Sequence, residues 1–447
     1  MERRQFRFRI AKCHHGLESS SIFMSEEFDI IVAGGGISGC LAARRLHERF
    51  PDKRIVLIER DQIVGGRLRS TDLERRVWGY GLGSISQTLY EFIEKSWRSQ
   101  PSDVDFDQFQ CENRSTLGVL TAGKITSLEI KNSFSAHGAR AIAGAAGERD
   151  WPGMEDLIDK VTSGKRADQL MSQGWKGTRK SPAAIATEHL ARLYGIPDVW
   201  SINVKDFISK IDEFIKAEIM CDWTALSSAL IQPALARDNL YLACDAAIAE
   251  ASYENETWSL ATTKGAFSAQ ALVVAQNPWD AIQWLDKDLW PSTLINVPIK
   301  TKPTSAVVLS VPLASDLDLP DVTIVAAEQV QVHKEATQLS FQATVSYEMT
   351  LVAPEVVKAI RRLKRARNKL LSMIDKDPEE AGEHIALQPV AWSQPLFQPE
   401  RRTMQKLKGS KWQSKHLVFC GDAYGPDLQP ENNLISSLVE ACAKVEI

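Results

Sequence analysis

The chain has 447 residues, 25% charged and 44% hydrophobic, a globular composition that excludes a largely disordered protein and suggests two or three domains. Against 57 acidic residues stand 53 Lys and Arg, a net charge of -4, which leaves no electrostatic footprint for nucleic acid. Seven cysteines without a CxxC pair give neither a zinc site nor a disulfide framework and point to a reducing compartment, and no apolar run is long enough for a membrane helix.

Residues 1–23 are rich in Arg and Ser but lack the apolar core of a secretory signal. They read as a disordered extension or an over-called start ahead of Met24, with a cytoplasmic location expected and organellar import left open. Residues 29–32 (DIIV) then form a short buried strand, followed directly by Gly34, Gly35, Gly36, Ile37, Ser38 and Gly39 and by an amphipathic helix, CLAARRLHERF. This order places a pyrophosphate at a helix amino end. Gly34 serves the tight turn, Gly36 the close approach of backbone to phosphate, and Gly39 the packing of helix on strand. A second strand, 54–58, ends at Glu59, about 20 residues past Gly39, where an acid hydrogen-bonds ribose hydroxyls and repels a 2'-phosphate, disfavouring NADP.

After Glu59 and Arg60 come Gly65, Gly66 and Arg67, then a second Gly-rich patch ending in Gly83 and Ser84. The sequence acid, Gly-Gly-Arg, Gly-rich segment resembles the flavin amine oxidase superfamily, which includes monoamine and polyamine oxidases, protoporphyrinogen oxidase, phytoene desaturases and renalase. The resemblance implies a noncovalently bound FAD in an α/β fold: a discontinuous Rossmann-like FAD-binding domain with a second substrate domain of mixed sheet plus helical cap. In that reading two glycines admit the extended ribityl chain and Arg67 pairs with a phosphate through its fork of N–H donors.

The expected FAD-binding segments are 24–95, 235–290 and 400–447, with a helical cap over 96–234 and a substrate-domain sheet and basic helix over 291–399. Helices are expected at 137–148, 153–163, 181–194, 203–218 and 222–236. Strands are expected at 239–250, 257–263 and 271–275, with Lys264 and Gly265 in the turn between the last two. The resemblance places an adenine contact in residues 246–248, at Ala247. Further strands are expected at 304–311, 322–327, 329–333 and 339–349. A basic amphipathic helix over 355–374 reads as the solvated face of a packed helix rather than a membrane anchor. A last strand, 416–420, leads to Gly421 and Asp422 and then to a helix near 432–443. There the resemblance makes Asp422 a ligand of the ribityl or pyrophosphate group and Asn433 and Leu434 donors to the flavin pyrimidine.

Flavin chemistry needs a donor carbon held in line and water excluded, because the ring itself accepts the hydride. Amine-oxidising relatives present a lysine on a sheet strand. The matching position here is Val308, with Lys300 and Lys302 just upstream, which puts a polyamine oxidase in doubt. Cys420 and Cys442 are not placed for covalent flavin attachment. Trp392 resembles a tryptophan of the active-site wall in renalase-like members and is the candidate catalytic residue. No metal spacing is found among the histidines. The leading expectation is an FAD-dependent oxidoreductase acting on a small organic substrate, with oxygen or another acceptor reoxidising it. A flavin monooxygenase is the alternative, weakened by Asn277-Pro278 where an Asp-Gly pair is usual. A flavin-free binding protein of the GDP-dissociation-inhibitor type is a third reading, opposed by Glu59, Arg67 and Asp422.

Overall fold

The computed structural model describes residues 26–68, 70–73, 76–79, 84–98, 106–109, 112–114, 116–121, 123–129, 170–174, 184, 188, 199–203, 218–220, 223–237, 239–291, 294, 304–312, 317–335, 338–346, 350–377, 382–392, 416–425 and 430–447. Apolar runs build its centre, a five-stranded parallel sheet in the order β11 (Leu240–Ala243), β3 (Ile55–Ile58), β2 (Ile30–Ala33), β15 (Ala271–Val274), β21 (Leu417–Phe419). Side chains alternate across a strand, and a parallel sheet is covered on both faces, so β2, β3, β15 and β21 are apolar and buried at every position, while β11 at the edge leaves Tyr241 exposed.

Ile30, Val32, Ile55, Leu57, Ala271, Val273 and Val418 meet a helical layer. It contains α1 (Ile37–Arg49), α2 (Gln87–Arg98), α3 (Trp223–Leu235) and α6 (Pro430–Lys444). Ile31, Ala33, Val56, Ile58, Leu272, Val274 and Phe419 meet the opposite layer, where Trp258, Leu260 and Phe267 come from a second sheet. That sheet runs β1 (Glu26–Glu27), β14 (Gly265–Ala269), β13 (Thr257–Thr262), β12 (Ile248–Glu254). Asn255 and Glu256, with φ of 49° and 62°, form the two-residue link of the β12–β13 hairpin, the positive-φ pair that matches strand twist.

Two sequence expectations are corrected. Residues 239–250 are not one strand: β11 ends at Ala243, the chain bends through Asp245 at φ 54°, and β12 starts at Ile248. Gly265 is not only a turn residue but opens β14, so three expected strands are five. The reason is that Phe267 is needed to cover the parallel sheet, a tertiary demand its Gly- and Ala-rich neighbours conceal.

The helix α1 reads as amphipathic, yet it is buried nearly all round because α3 and α6 both pack on it. Arg44, 1% exposed, is turned inward and donates to three carbonyls: Nε to Ser96 at 3.0 Å, Nη1 to Leu230 at 3.1 Å and Nη2 to Trp97 at 2.8 Å. Its planar fork joins the carboxyl end of α2 to α3. A lysine has no such fork. Arg44→Lys and Arg44→Met are therefore expected to lower unfolding stability by about 3 kcal/mol or more, because buried carbonyls lose charged donors. Urea denaturation checks this.

The second domain is a seven-stranded sheet: β20 (His384–Trp392), β16 (Thr304–Pro312), β19 (Gln338–Ser346), β18 (Val330–Glu335), β17 (Val322–Val325), β8 (Thr116–Thr121), β9 (Lys124–Glu129). One face packs on α5 (Pro354–Met373) through Val356, Ala359, Leu363, Ala366 and Leu370. The outward Arg365 pairs with Glu328, and Lys364 and Arg367 pair with Glu383, so part of the basic face is paired within the protein. Two smaller sheets join β6 (Ser84–Ser86), β10 (Glu218–Met220) and β7 (Glu112–Arg114), and β4 (Ser70–Leu73) with β5 (Arg76–Gly79).

Residues 116–129 thus pair into the seven-stranded sheet and α3 packs on α1, although both segments lie within the span read as a helical cap. Residues 1–25 and the expected helices 137–148 and 153–163 lie outside the described residues, as do most of 181–194 and 203–218.

Candidate cofactor site

The carboxyl ends of the parallel strands β2, β3, β15 and β21 deliver Gly34, Glu59, Gln276 and Gly421 to one edge of the sheet, where open α/β folds bind ligands. Gly39 is there for contact: a Cβ on it would lie 1.8 Å from the Gly34 carbonyl oxygen, so only glycine lets α1 start this close to β2. Gly36 differs. It caps α1 with ordinary φ of -68°, and a Cβ there would meet nothing nearer than Gly66 Cα at 3.9 Å. No side chain caps this helix, and its first turn carries no acid, which leaves the amides around Ile37 and the buried Ser38 with the positive end of the helix dipole for an anion. This geometry fits a phosphate.

The carboxylate of Glu59, 8% exposed, accepts from Gly35 N–H at 2.8 Å through Oε2 and from Asp61 N–H at 2.9 Å through Oε1. It therefore shapes the glycine turn itself, and each oxygen keeps a lone pair for a hydroxyl. Burial raises its pKa, and the two backbone hydrogen bonds only partly oppose this. Because the folded-state pKa lies above the unfolded one, the contribution of Glu59 to stability is greatest below the unfolded pKa and is lost as pH rises through the folded one. The unfolding free energy of the wild type relative to Glu59→Gln is expected to grow as pH falls across the carboxylate range. A difference between the two that shrinks on acidification contradicts it.

Across from this turn stand Gly65 and Gly66. The Gly65 N–H donates to Gly35 O at 2.8 Å, and Gly66, at φ 58°, approaches so closely that a Cβ would sit 2.9 Å from Gly36 Cα. The next residue reaches across the whole chain: Arg67 Nη1 donates to Asp422 Oδ2 and Nη2 to Asp422 Oδ1, both at 2.8 Å. This two-pronged pair is two-thirds or more buried. The turn at Gly421 is fixed from α6, since Ser437 Oγ accepts from Gly421 N–H at 2.9 Å. Tyr424, fully buried, donates its hydroxyl to Gln276 O at 3.0 Å and so ties this turn to the end of β15.

Among the residues singled out from the sequence, Gly34, Gly36, Ser38, Gly39, Glu59, Gly65, Gly66, Arg67, Gly421 and Asp422 come together at this edge. Arg60 is exposed and lies 3.8 Å from Asp280. The backbone of Ala247 is engaged by Thr263 in both directions, at 3.0 Å each, so its N–H is not a donor to adenine. Asn433 is turned inward, donating to Asp422 O at 3.2 Å, and Leu434 is in the core. Because α6 begins at Pro430, Glu431 and Asn432 stand two residues nearer its amino end than the expected donors at 433 and 434. Trp392 closes β20 opposite Thr304, and Ser84 opens β6, but their side chains and all of Gly83 lie outside the described residues. Sequence reasoning missed Gly35, Gln276 and Tyr424. Only Gly35 carried a signal, a third consecutive glycine where the motif tolerates any residue.

Residues 32–93 match the family model of the NAD(P)-binding Rossmann-like domain. A stretch of 44 residues is 46% identical to an uncharacterised protein of Acanthamoeba polyphaga mimivirus, a match spanning 10% of this chain and 9% of that protein. Solved structures agree over nearly all of the chain. A putative protoporphyrinogen oxidase from Exiguobacterium aligns with TM-score 0.63 at 12% identity, covering 94% of this chain and 99% of its own. Cyclohexylamine oxidase from Brevibacterium oxydans aligns with TM-score 0.63 at 13% identity, covering 93% and 98%. Putrescine oxidase bound to putrescine gives 0.60 at 14%, covering 94% and 99%. A segment matching an NAD(P)-binding Rossmann-like domain, set within a fold shared with these oxidase structures, is thus the architecture of this chain.

Proposed function

We propose that the chain is an oxidoreductase that binds FAD noncovalently and oxidises a small organic substrate, an amine or related CH–NH or CH–CH donor. The observation that carries this reading is the Arg67–Asp422 pair, which joins the Gly-Gly-Arg segment to the carboxyl-terminal turn beside the open amino end of α1. Bound FAD would supply the hydride acceptor, with oxygen or another acceptor restoring it. The residues would divide the binding work. Amides at 37–39 would receive one phosphate of the pyrophosphate, Glu59 would accept from ribose hydroxyls, Arg67 would hold the other phosphate, and Asp422 would accept from the ribityl hydroxyls. Glu431 and Asn432 offer helix-end N–H groups to the pyrimidine carbonyl.

The test is anaerobic titration of the flavin-loaded protein with amines, reduced dinucleotides and porphyrinogens. Bleaching of the yellow absorbance by one class supports an oxidase or dehydrogenase and names its substrate class. Bleaching by reduced dinucleotides alone favours the monooxygenase alternative.

A further inference from the structure

The chain carries a net charge of -4, yet the 20 residues of α5 hold seven Lys and Arg against one acid, Glu355, a net +6, so the remainder carries -10. This separation gives the molecule one basic side. Val356, Ala359, Leu363, Ala366 and Leu370 are buried against the seven-stranded sheet, and residues three and four apart share a helix face. Lys358, Arg361, Arg365 and Lys369 therefore form a line on the side turned away from the sheet, and the first three are exposed. Lys358 pairs with Glu355 in an exposed contact that holds little, and Arg365 with Glu328. Arg361 and Lys369 have no ion pair or hydrogen bond among the described residues. At the amino end of the same helix a turn, closed by Ala353 N–H on Thr350 O at 3.2 Å, presents Leu351 and Val352, 45% and 82% exposed. Val352 is more exposed than any other large apolar side chain among the described residues.

We infer that this side of the second domain docks on an anionic lipid surface, with the cations of α5 against the headgroups and Leu351 and Val352 entering the interface. A polyanion such as a nucleic acid would answer the cations and leave the apolar turn in water. A bilayer answers both, because negative charge and an apolar layer adjoin over its whole surface. The apolar side of α5 is already committed to the sheet, so the helix does not sink into the membrane lengthwise, and two side chains add little buried area. Attachment is thus reversible and weakens as salt screens the cations. It needs no spanning helix, and none is found among the described residues. The inference stands independently of the flavin reading.

The experiment is co-sedimentation of the full chain with vesicles of an equal mixture of phosphatidylserine and phosphatidylcholine, against vesicles of phosphatidylcholine alone. The mixed vesicles are expected to bind at least about 10-fold more tightly at low salt, and the advantage to disappear at about 1 M salt. Arg361→Glu with Lys369→Glu should lower affinity for the mixed vesicles at least about 20-fold, since each cation at such a surface is worth about 5-fold and here each is reversed. Leu351→Ser with Val352→Ser should lower it at least about 5-fold with charge unchanged. All four side chains lie outside the core, and urea denaturation should show both variants as stable as the wild type to within about 0.5 kcal/mol. Equal binding to both vesicle types, or no binding to either, overturns the inference. So does a serine variant that binds as the wild type does, which would reassign the face to a soluble polyanion.

Discussion

Gly39→Ala is expected to destabilise the fold strongly, whereas Gly36→Ala is expected to leave the fold intact and weaken cofactor binding. The two glycines stand three residues apart in one motif, and their surroundings are opposite. A methyl group on Gly39 meets a backbone carbonyl at 1.8 Å, and backbone at the junction of β2 and α1 cannot retreat without separating the helix from the central sheet. Overpacking of this kind costs typically 1–3 kcal/mol and more when backbone must move, so a loss of about 3 kcal/mol or greater is expected. At Gly36 the same methyl group is 3.9 Å from its nearest neighbour and the backbone is already helical in φ. The expected change in stability of the flavin-free protein is within about 0.5 kcal/mol. The space it fills is the approach to the helix end, so FAD affinity should fall at least about 10-fold. Thermal unfolding of each flavin-free variant, paired with FAD titration, separates the two effects. Equal unfolding temperatures for both variants would refute the assignment of different roles.

The second large effect concerns Arg67 and Asp422. Either Arg67→Met or Asp422→Asn leaves a partly buried charge without its two-pronged partner, and a double-mutant cycle is expected to give a coupling of about 1–3 kcal/mol. The cofactor adds a distinguishing feature. If both side chains also hold FAD, each single variant loses flavin, and the double variant regains stability relative to the sum of the singles without regaining flavin. Recovery of flavin in the double variant would show that the pair serves folding alone.

These residues also show what a sequence can carry. The runs IIVA, IVLI and ALVV are readable as buried parallel strands because every position is apolar, and Gly39 is readable because the strand, turn and helix that require it are contiguous. Asp422 is legible only through its Gly neighbour. Its partnership with Arg67 spans 355 positions and arises from β21 docking beside β15, a long-range pairing with no local trace. Arg44 fails differently: between apolar neighbours an arginine signals a solvent face, and only the carbonyl ends of α2 and α3 above it turn the same residue inward. The strand opening at Gly265 was hidden because glycine reads as a turn and alanine is poor in strands until a neighbouring sheet supplies the reason for Phe267. The apolar side of α5 was legible by period, and its buried line runs through Val356, Ala359, Leu363, Ala366 and Leu370.

The most direct measurement is the cofactor content of the purified chain: absorbance between the near ultraviolet and blue, followed by denaturation and identification of what is released. The account predicts release of intact FAD without covalent residue, close to one per chain, or stoichiometric uptake when FAD is titrated into colourless protein. A chain that stays colourless and binds no FAD, or that releases only a nicotinamide dinucleotide, would contradict it.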